Sequence, residues 1–179
     1  DGKSRNVGAQ WSTAGDRIAY NSTRRNGKDL DLYVMNPADP KSDHMLARLE
    51  GGGWEVLDWS PDDKQILLLE EISINESYLW LVDAASGKMT LITPKGGPEK
   101  ISYAWANFSK DGKGLWAITD RDSEFQRLAY VDLANKQHAY FTSNINWDVE
   151  DVALSEDGRT IAFTTNEDGV SVLRLFDTA

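Results

Sequence analysis

Trp59-Ser60-Pro61-Asp62-Asp63-Lys64-Gln65-Ile66-Leu67-Leu68 is one of four copies of a ten-residue unit. The other copies begin at Trp11, Phe108 and Leu154, so the anchor residue recurs at intervals of 48, 49 and 46 residues. A serine follows the anchor every time, and an Ile or Leu stands seven residues after it (Ile18, Ile66, Leu115, Ile161). A period of this length, with strand-like segments inside each unit, predicts propeller blades placed side by side.

Each residue type in the unit has a mechanical task. The large anchor closes one strand and the Ile or Leu opens the next, so both can point into a layer between neighbouring sheets. Between them lie Ser, Asp and Gly, whose side chains bond nearby backbone or whose backbone tolerates positive φ. The unit therefore reads as a hairpin corner written four times. Around the corners the chain reads as all-β, a propeller of four repeats of four-stranded antiparallel blades. The blades are expected at 7–50, 54–93, 101–142 and 147–177, making 1–179 a single propeller segment. Met45 to Leu49 is expected as the outermost strand of blade one. Blade four lacks its outer strand, which leaves an open edge able to take up a foreign strand. Asp1 to Asn6 is too polar to fill it well. The expectation is four consecutive blades of a larger ring, with a homodimer through the open edges as one way of closing it.

Charge and composition exclude some partners. A formal charge of −10 argues against nucleic acid and against an anionic membrane surface, both of which need a positive face. Seven tryptophans suit sheets packed face to face, where a large ring fills the gap between blades. No apolar run reaches the length of a membrane span, and residues 1–6 are no secretion signal. The absence of cysteine rules out disulfides and thiolate chemistry, and fits bacterial periplasm and cytoplasm equally.

Catalytic chemistry is hard to place on this chain. No Gly-x-Ser-x-Gly elbow is present, and the repeated serines are accounted for by corners. His44 and His138 are not spaced for a metal site and are expected at an edge or on the surface. The expected catalytic residues, metals and cofactors are none. Two stretches depart from the repeat and are the candidate ligand-binding residues. The first is the loop 120–127, where Asp120, Asp122 and Glu124 could turn carboxylates to one Ca²⁺ or to the amine of a peptide. The plainer account is a solvated loop whose acids pair with Arg121 and Arg127. The second is Trp147, Asp148 and Glu150, an aromatic followed by acids leading into blade four's innermost strand. It could guide a basic or peptidic ligand, or Trp147 could simply plug the space between blades.

The recurring W-S-x-D-G-K/R-x-I-A pattern, with the later strands Leu32-Tyr33-Val34-Met35-Asn36 and Tyr130-Val131-Asp132, resembles the TolB-like (WD40-like) propeller repeats. Residues 119–128, 147–150 and 166–169 are similar to the propeller of the prolyl-oligopeptidase family of serine peptidases. Blade two departs from the repeat, with Asp63 where Gly is usual. The resemblance implies a non-catalytic propeller that caps a C-terminal α/β-hydrolase domain and restricts which oligopeptides reach it. The family's nucleophile, Asp and His lie in that hydrolase domain, so none is carried over. The implied partners are a peptide substrate or a protein. The alternatives are a TolB-like periplasmic interaction scaffold and a propeller lyase for acidic sugars. The lyase is disfavoured by the scarcity of His and the negative charge.

Overall fold

The computed structural model describes residues 2–178. They form fifteen strands in four antiparallel sheets, each made of strands consecutive in sequence. The first sheet holds β1 (Asn6–Trp11), β2 (Ile18–Ser22), β3 (Asp31–Asn36) and β4 (Asp39–Ala47). The second holds β5 (Trp54–Trp59), β6 (Gln65–Ser73), β7 (Glu76–Asp83) and β8 (Met89–Leu91). The third holds β9 (Tyr103–Phe108), β10 (Gly114–Thr119), β11 (Arg127–Asp132) and β12 (His138–Tyr140). The fourth has three strands, β13 (Val149–Leu154), β14 (Thr160–Glu167) and β15 (Val170–Asp177). The protein is all-β and its sheets are propeller blades. Among the described residues there is no helix, and so none able to cross a membrane.

The four corners share one hydrogen-bond pattern. In each, the serine N–H donates to the carbonyl five residues on, at 2.9 Å in all four copies. The serine hydroxyl accepts the N–H of that same residue: Arg17 at 3.0, Gln65 at 2.9, Gly114 at 3.1 and Thr160 at 3.0 Å. It donates in turn to a corner carboxylate, that of Asp16, Asp62, Asp111 or Asp157. The third residue after the serine bonds back to the serine carbonyl with φ between 56° and 72° (Gly15, Asp63, Gly112, Gly158). A left-handed residue is what turns the chain into the next strand, and Gly adopts it without strain. The corner carboxylates of Asp62, Asp111 and Asp157 are held below the usual carboxylate range, first of all by the serine hydroxyl.

The chain divides into two compact units, 1–100 with blades one and two, and 101–179 with blades three and four. The core of the first unit lies between its two sheets. Ala19, Leu32 and Val34 of blade one meet Val56, Trp59, Ile66, Leu68 and Val82 of blade two. In the second unit Trp116, Ile118 and Leu128 of blade three meet Ile161 and Phe163 of blade four, with Leu154 and Phe176 packed alongside. Trp116 makes edge contacts with Tyr130 and Phe176, at ring distances of 5.0 and 5.6 Å. The inter-blade layers thus take up the anchors Trp59 and Leu154 and the strand-opening Ile66 and Ile161, while the anchor Trp11 is exposed.

Some boundaries differ from expectation. β4 starts at Asp39 instead of Met45 and stops short of Leu49. The chain reverses at once after Asn36, whose side-chain oxygen accepts the Ala38 N–H, and the Ser42 hydroxyl accepts the Asn36 N–H. These local bonds support pairing that the apolar pattern does not signal. Pro40 is tolerated because β4 is the sheet's outer strand.

Candidate functional site

The loop between β10 and β11 is 120–126, with Arg127 opening β11, and the segment 147–148 leads into β13. Gln126 brings the two together. Its N–H donates to the Asp148 carboxylate at 2.8 Å, and its carbonyl accepts the Val149 N–H at 2.9 Å. One wall of the candidate site is therefore a backbone clasp between blades three and four.

The carboxylates of the loop are turned to separate tasks. Asp120 accepts the Ser102 N–H at 2.8 Å. Asp122, at φ 58°, accepts the Tyr140 hydroxyl at 2.9 Å and lies 3.5 Å from Arg121 Nε. Glu124 and Glu150 are exposed, and Trp147 is half-buried. Among the described residues no three His, Cys, Asp or Glu side chains gather as they would around a metal ion. The pairing of Asp122 with Arg121 is the one the plainer account expects. Arg127 instead donates to the carbonyls of Arg121 and Asp122, at 3.0 and 2.8 Å, and stands 4.3 Å over the Tyr140 ring.

His138 lies on the edge strand β12, yet its ring is half-buried and bonded on both nitrogens. Nε2 is 3.0 Å from the Tyr103 hydroxyl and Nδ1 is 3.1 Å from Arg121 NH1. Arg121 can only donate, and the Lys136 carbonyl, 3.2 Å from the same Nδ1, can only accept, so the ring's tautomer decides which of these two bonds forms. Burial and then the Arg121 charge hold its pKa below the ordinary histidine value. Burial raises the hydroxyl pKa of Tyr103 and, with Asp122, that of Tyr140. This cluster of Tyr103, Arg121, Asp122, His138 and Tyr140 has no counterpart in the sequence reading. Its members come from two strands, β9 and β12, and a loop, and no local spacing joins them.

Blade one anchors the matching loop with the charges exchanged. Asp31 occupies the β3 position that Arg127 occupies in β11, each paired to the last residue of the preceding strand (Ser22 and Thr119). Arg25, from the loop, places Nε 2.7 Å from Asp31 Oδ2 and NH2 2.8 Å from Asp29. Asp31 also accepts the Leu49 N–H at 2.8 Å. The Asp29 carboxyl is lowered to about 2 by bonds from Asn26, the Gly51 N–H and Arg25. A cavity of about 320 Å³ in the second unit is lined by Lys110, Asp111, Trp116, Tyr130 and Gly158, and none of the candidate residues lines it.

Residues 28–177 match the family described as the dipeptidyl peptidase IV (DPP IV) N-terminal region. The chain belongs to that family. As a DPP IV N-terminal-region chain it also shares its fold with several solved proteins. A protein assigned as TolB from Agrobacterium tumefaciens superimposes with a TM-score of 0.75 at 17% identity, over 96% of this chain and 61% of that one. Puromycin hydrolase gives 0.73 at 17% identity, over 97% of this chain and 29% of its own. A structure from work on two prolyl endopeptidases gives 0.63 at 14% identity, over 99% and 34%. The chain therefore spans less than two thirds of each of these proteins. No curated protein matches it in sequence.

Proposed function

We propose that the chain is the substrate-gating propeller of a serine peptidase of the prolyl-oligopeptidase family acting on oligopeptides, and that it has no catalytic activity of its own. The observation that carries this reading is the match of 28–177 to the DPP IV N-terminal region. The likeness of fold to puromycin hydrolase and a prolyl endopeptidase supports it. In this reading the hydroxyls and carboxylates of the blades build corners and loops, and selection is steric. In the same reading Glu124 and Glu150, which are exposed, meet the amino ends of incoming peptides. The coding sequence beyond Ala179 tests the assignment. A Gly-x-Ser-x-Gly elbow followed by Asp and His supports it, and a stop codon soon after overturns it. The isolated 179-residue chain should leave chromogenic dipeptides unhydrolysed, and turnover would refute the inert role.

The TolB likeness favours a second reading, an interaction scaffold that docks proteins on its blade faces. The same coding sequence separates the two, because the scaffold needs no hydrolase domain.

A further inference from the structure

Blade two carries a seat for an ammonium group, filled by its own chain. Glu70 of β6 pairs with Tyr78 of β7, and Leu68 with Trp80, so Glu70, Tyr78 and Trp80 share one face of the sheet. Trp80 donates its indole N–H to Glu70 Oε2 at 2.8 Å and lies against Trp54 at a ring distance of 6.1 Å. Tyr78 is buried and donates its hydroxyl to Glu76. The rings and the carboxylate are thus fixed by sheet register and by one another. The cation comes from elsewhere. Lys95, in the segment Pro94-Lys95-Gly96-Gly97-Pro98 that follows β8, places Nζ 3.1 Å from Glu70 Oε1 and 2.9 Å from Oε2. The same Nζ stands 4.7 Å from the Tyr78 ring centre and 5.6 Å from that of Trp80.

Seat and occupant differ in how firmly they are held. The Glu70 side chain is 14% exposed and that of Lys95 is 41% exposed. Gly96 takes φ 82° and a second glycine follows it, so the segment that delivers Lys95 has backbone freedom. Cations stand over rings in blades one and three too, but there Arg24 is also tied to Asp43 and the Tyr20 hydroxyl, and Arg127 to two carbonyls. Among the described residues the Lys95 ammonium has one polar partner, Glu70. An enclosed carboxylate is costly to leave without a counter-ion, and ring faces attract a desolvated cation. A seat that Lys95 leaves therefore draws in another cation. We infer that the seat is a binding site for a primary ammonium on an unbranched methylene stem, the group a lysine side chain presents, and that Lys95 is its internal competitor. The two Glu70 oxygens call for N–H donors, and the rings take the stem. The inference rests on blade two alone and stands whether or not the chain gates a peptidase.

NMR titration of the Trp80 indole N–H in the 179-residue chain tests it, with Nα-acetyl-lysine N-methylamide as the probe and sodium chloride matched for ionic strength. K95A empties the seat, so this variant should give a saturating shift. Its dissociation constant should lie at least about tenfold below that of the parent, in which the open seat is the minor state. Adding E70Q to K95A should abolish the saturating shift. Glycine N-methylamide, whose ammonium lacks the long stem, should bind K95A at least about tenfold more weakly than the lysine probe. In the parent, saturating probe should speed amide exchange at Gly96 and Gly97 as the segment is released. The inference is overturned by a K95A chain with no saturating shift, by equal affinity in parent and K95A, or by a K95A/E70Q chain that still binds. Glycine N-methylamide binding as tightly as the lysine probe, or unchanged exchange at both glycines, overturns it as well. Thermal unfolding checks the fold of each variant. If alanine loosens the blade, K95Q, which removes the charge and keeps most of the stem, takes its place.

Discussion

Asp63 and Thr13, fifty residues apart, are joined by a 2.6 Å hydrogen bond from the Thr13 N–H to the Asp63 carboxylate, and the other carboxylate oxygen accepts the Ala14 N–H at 2.9 Å. The Thr13 hydroxyl adds a bond to the Ser60 carbonyl, and Arg17 reaches the Asp63 carbonyl at 3.2 Å. Where the other corners use glycine, blade two uses a residue whose side chain latches onto the corner of blade one.

The latch makes two opposing contributions, and substitutions separate them. Asp63 sits at φ 56°, a conformation costing a non-glycine residue roughly 1 kcal/mol. Asp63→Gly removes that strain together with the latch, so its stability should stay within about 1 kcal/mol of the parent. Asp63→Ala keeps the strain and loses both bonds, and should be the less stable of the two by about 1 kcal/mol. Urea midpoints for the two variants check the order. If alanine is as stable as glycine, the strain argument fails.

The buried Asp31 carboxylate sets a larger effect. Asp31 is fully buried, and its partners are the Arg25 guanidinium and the Leu49 N–H. Removing one member of a buried pair leaves the other without compensation. Asp31→Ala should therefore destabilise the first unit by about 3 kcal/mol. Asp31→Asn keeps an acceptor for Leu49 and should lose less. Hydrogen exchange at Leu49 gives a local readout, and a protected Leu49 amide in the alanine variant would contradict the assignment.

The corners were legible in sequence because everything they need lies within eight residues, from Ser12 to Ile18 or from Ser60 to Ile66. Each serine, aspartate and glycine acts on backbone close by, so the repeat itself displays the bonds. The latch was half legible: Asp63 stood out as a departure from glycine, but nothing local shows that its partner is Thr13. The His138 cluster was not legible, since Tyr103, Arg121 and His138 meet only once β9, β10 and β12 share a sheet. The candidate acids were read as one group because they alternate along the chain. In the structure Asp120 and Asp122 turn to Ser102 and Tyr140, because an irregular loop has no fixed side-chain period.

The second unit should lose stability in mild acid through His138. Its pKa in the folded chain lies below that of an unfolded histidine, about 6.5. The unfolded chain therefore binds the proton first as pH falls. The stabilising contribution of the neutral ring is complete above about pH 6.5 and declines as pH drops through and below that value. The groups facing the ring are Tyr103 and Tyr140, the Lys136 carbonyl and Asp122, which both oppose the effect, and Arg121, which enforces it. A protonated ring can no longer accept from Arg121, so the loop 120–127 loses one of its tethers. Melting temperatures at pH 7.5 and 5.5 should differ less for His138→Gln than for the parent, since glutamine does not titrate. The His138 ring protons followed by NMR should titrate below 6.5, and loop amides should exchange faster in the same interval. A ring that titrates at or above 6.5 would mean that the Lys136 carbonyl and Asp122 outweigh burial and Arg121, and the acid sensitivity would then lie elsewhere.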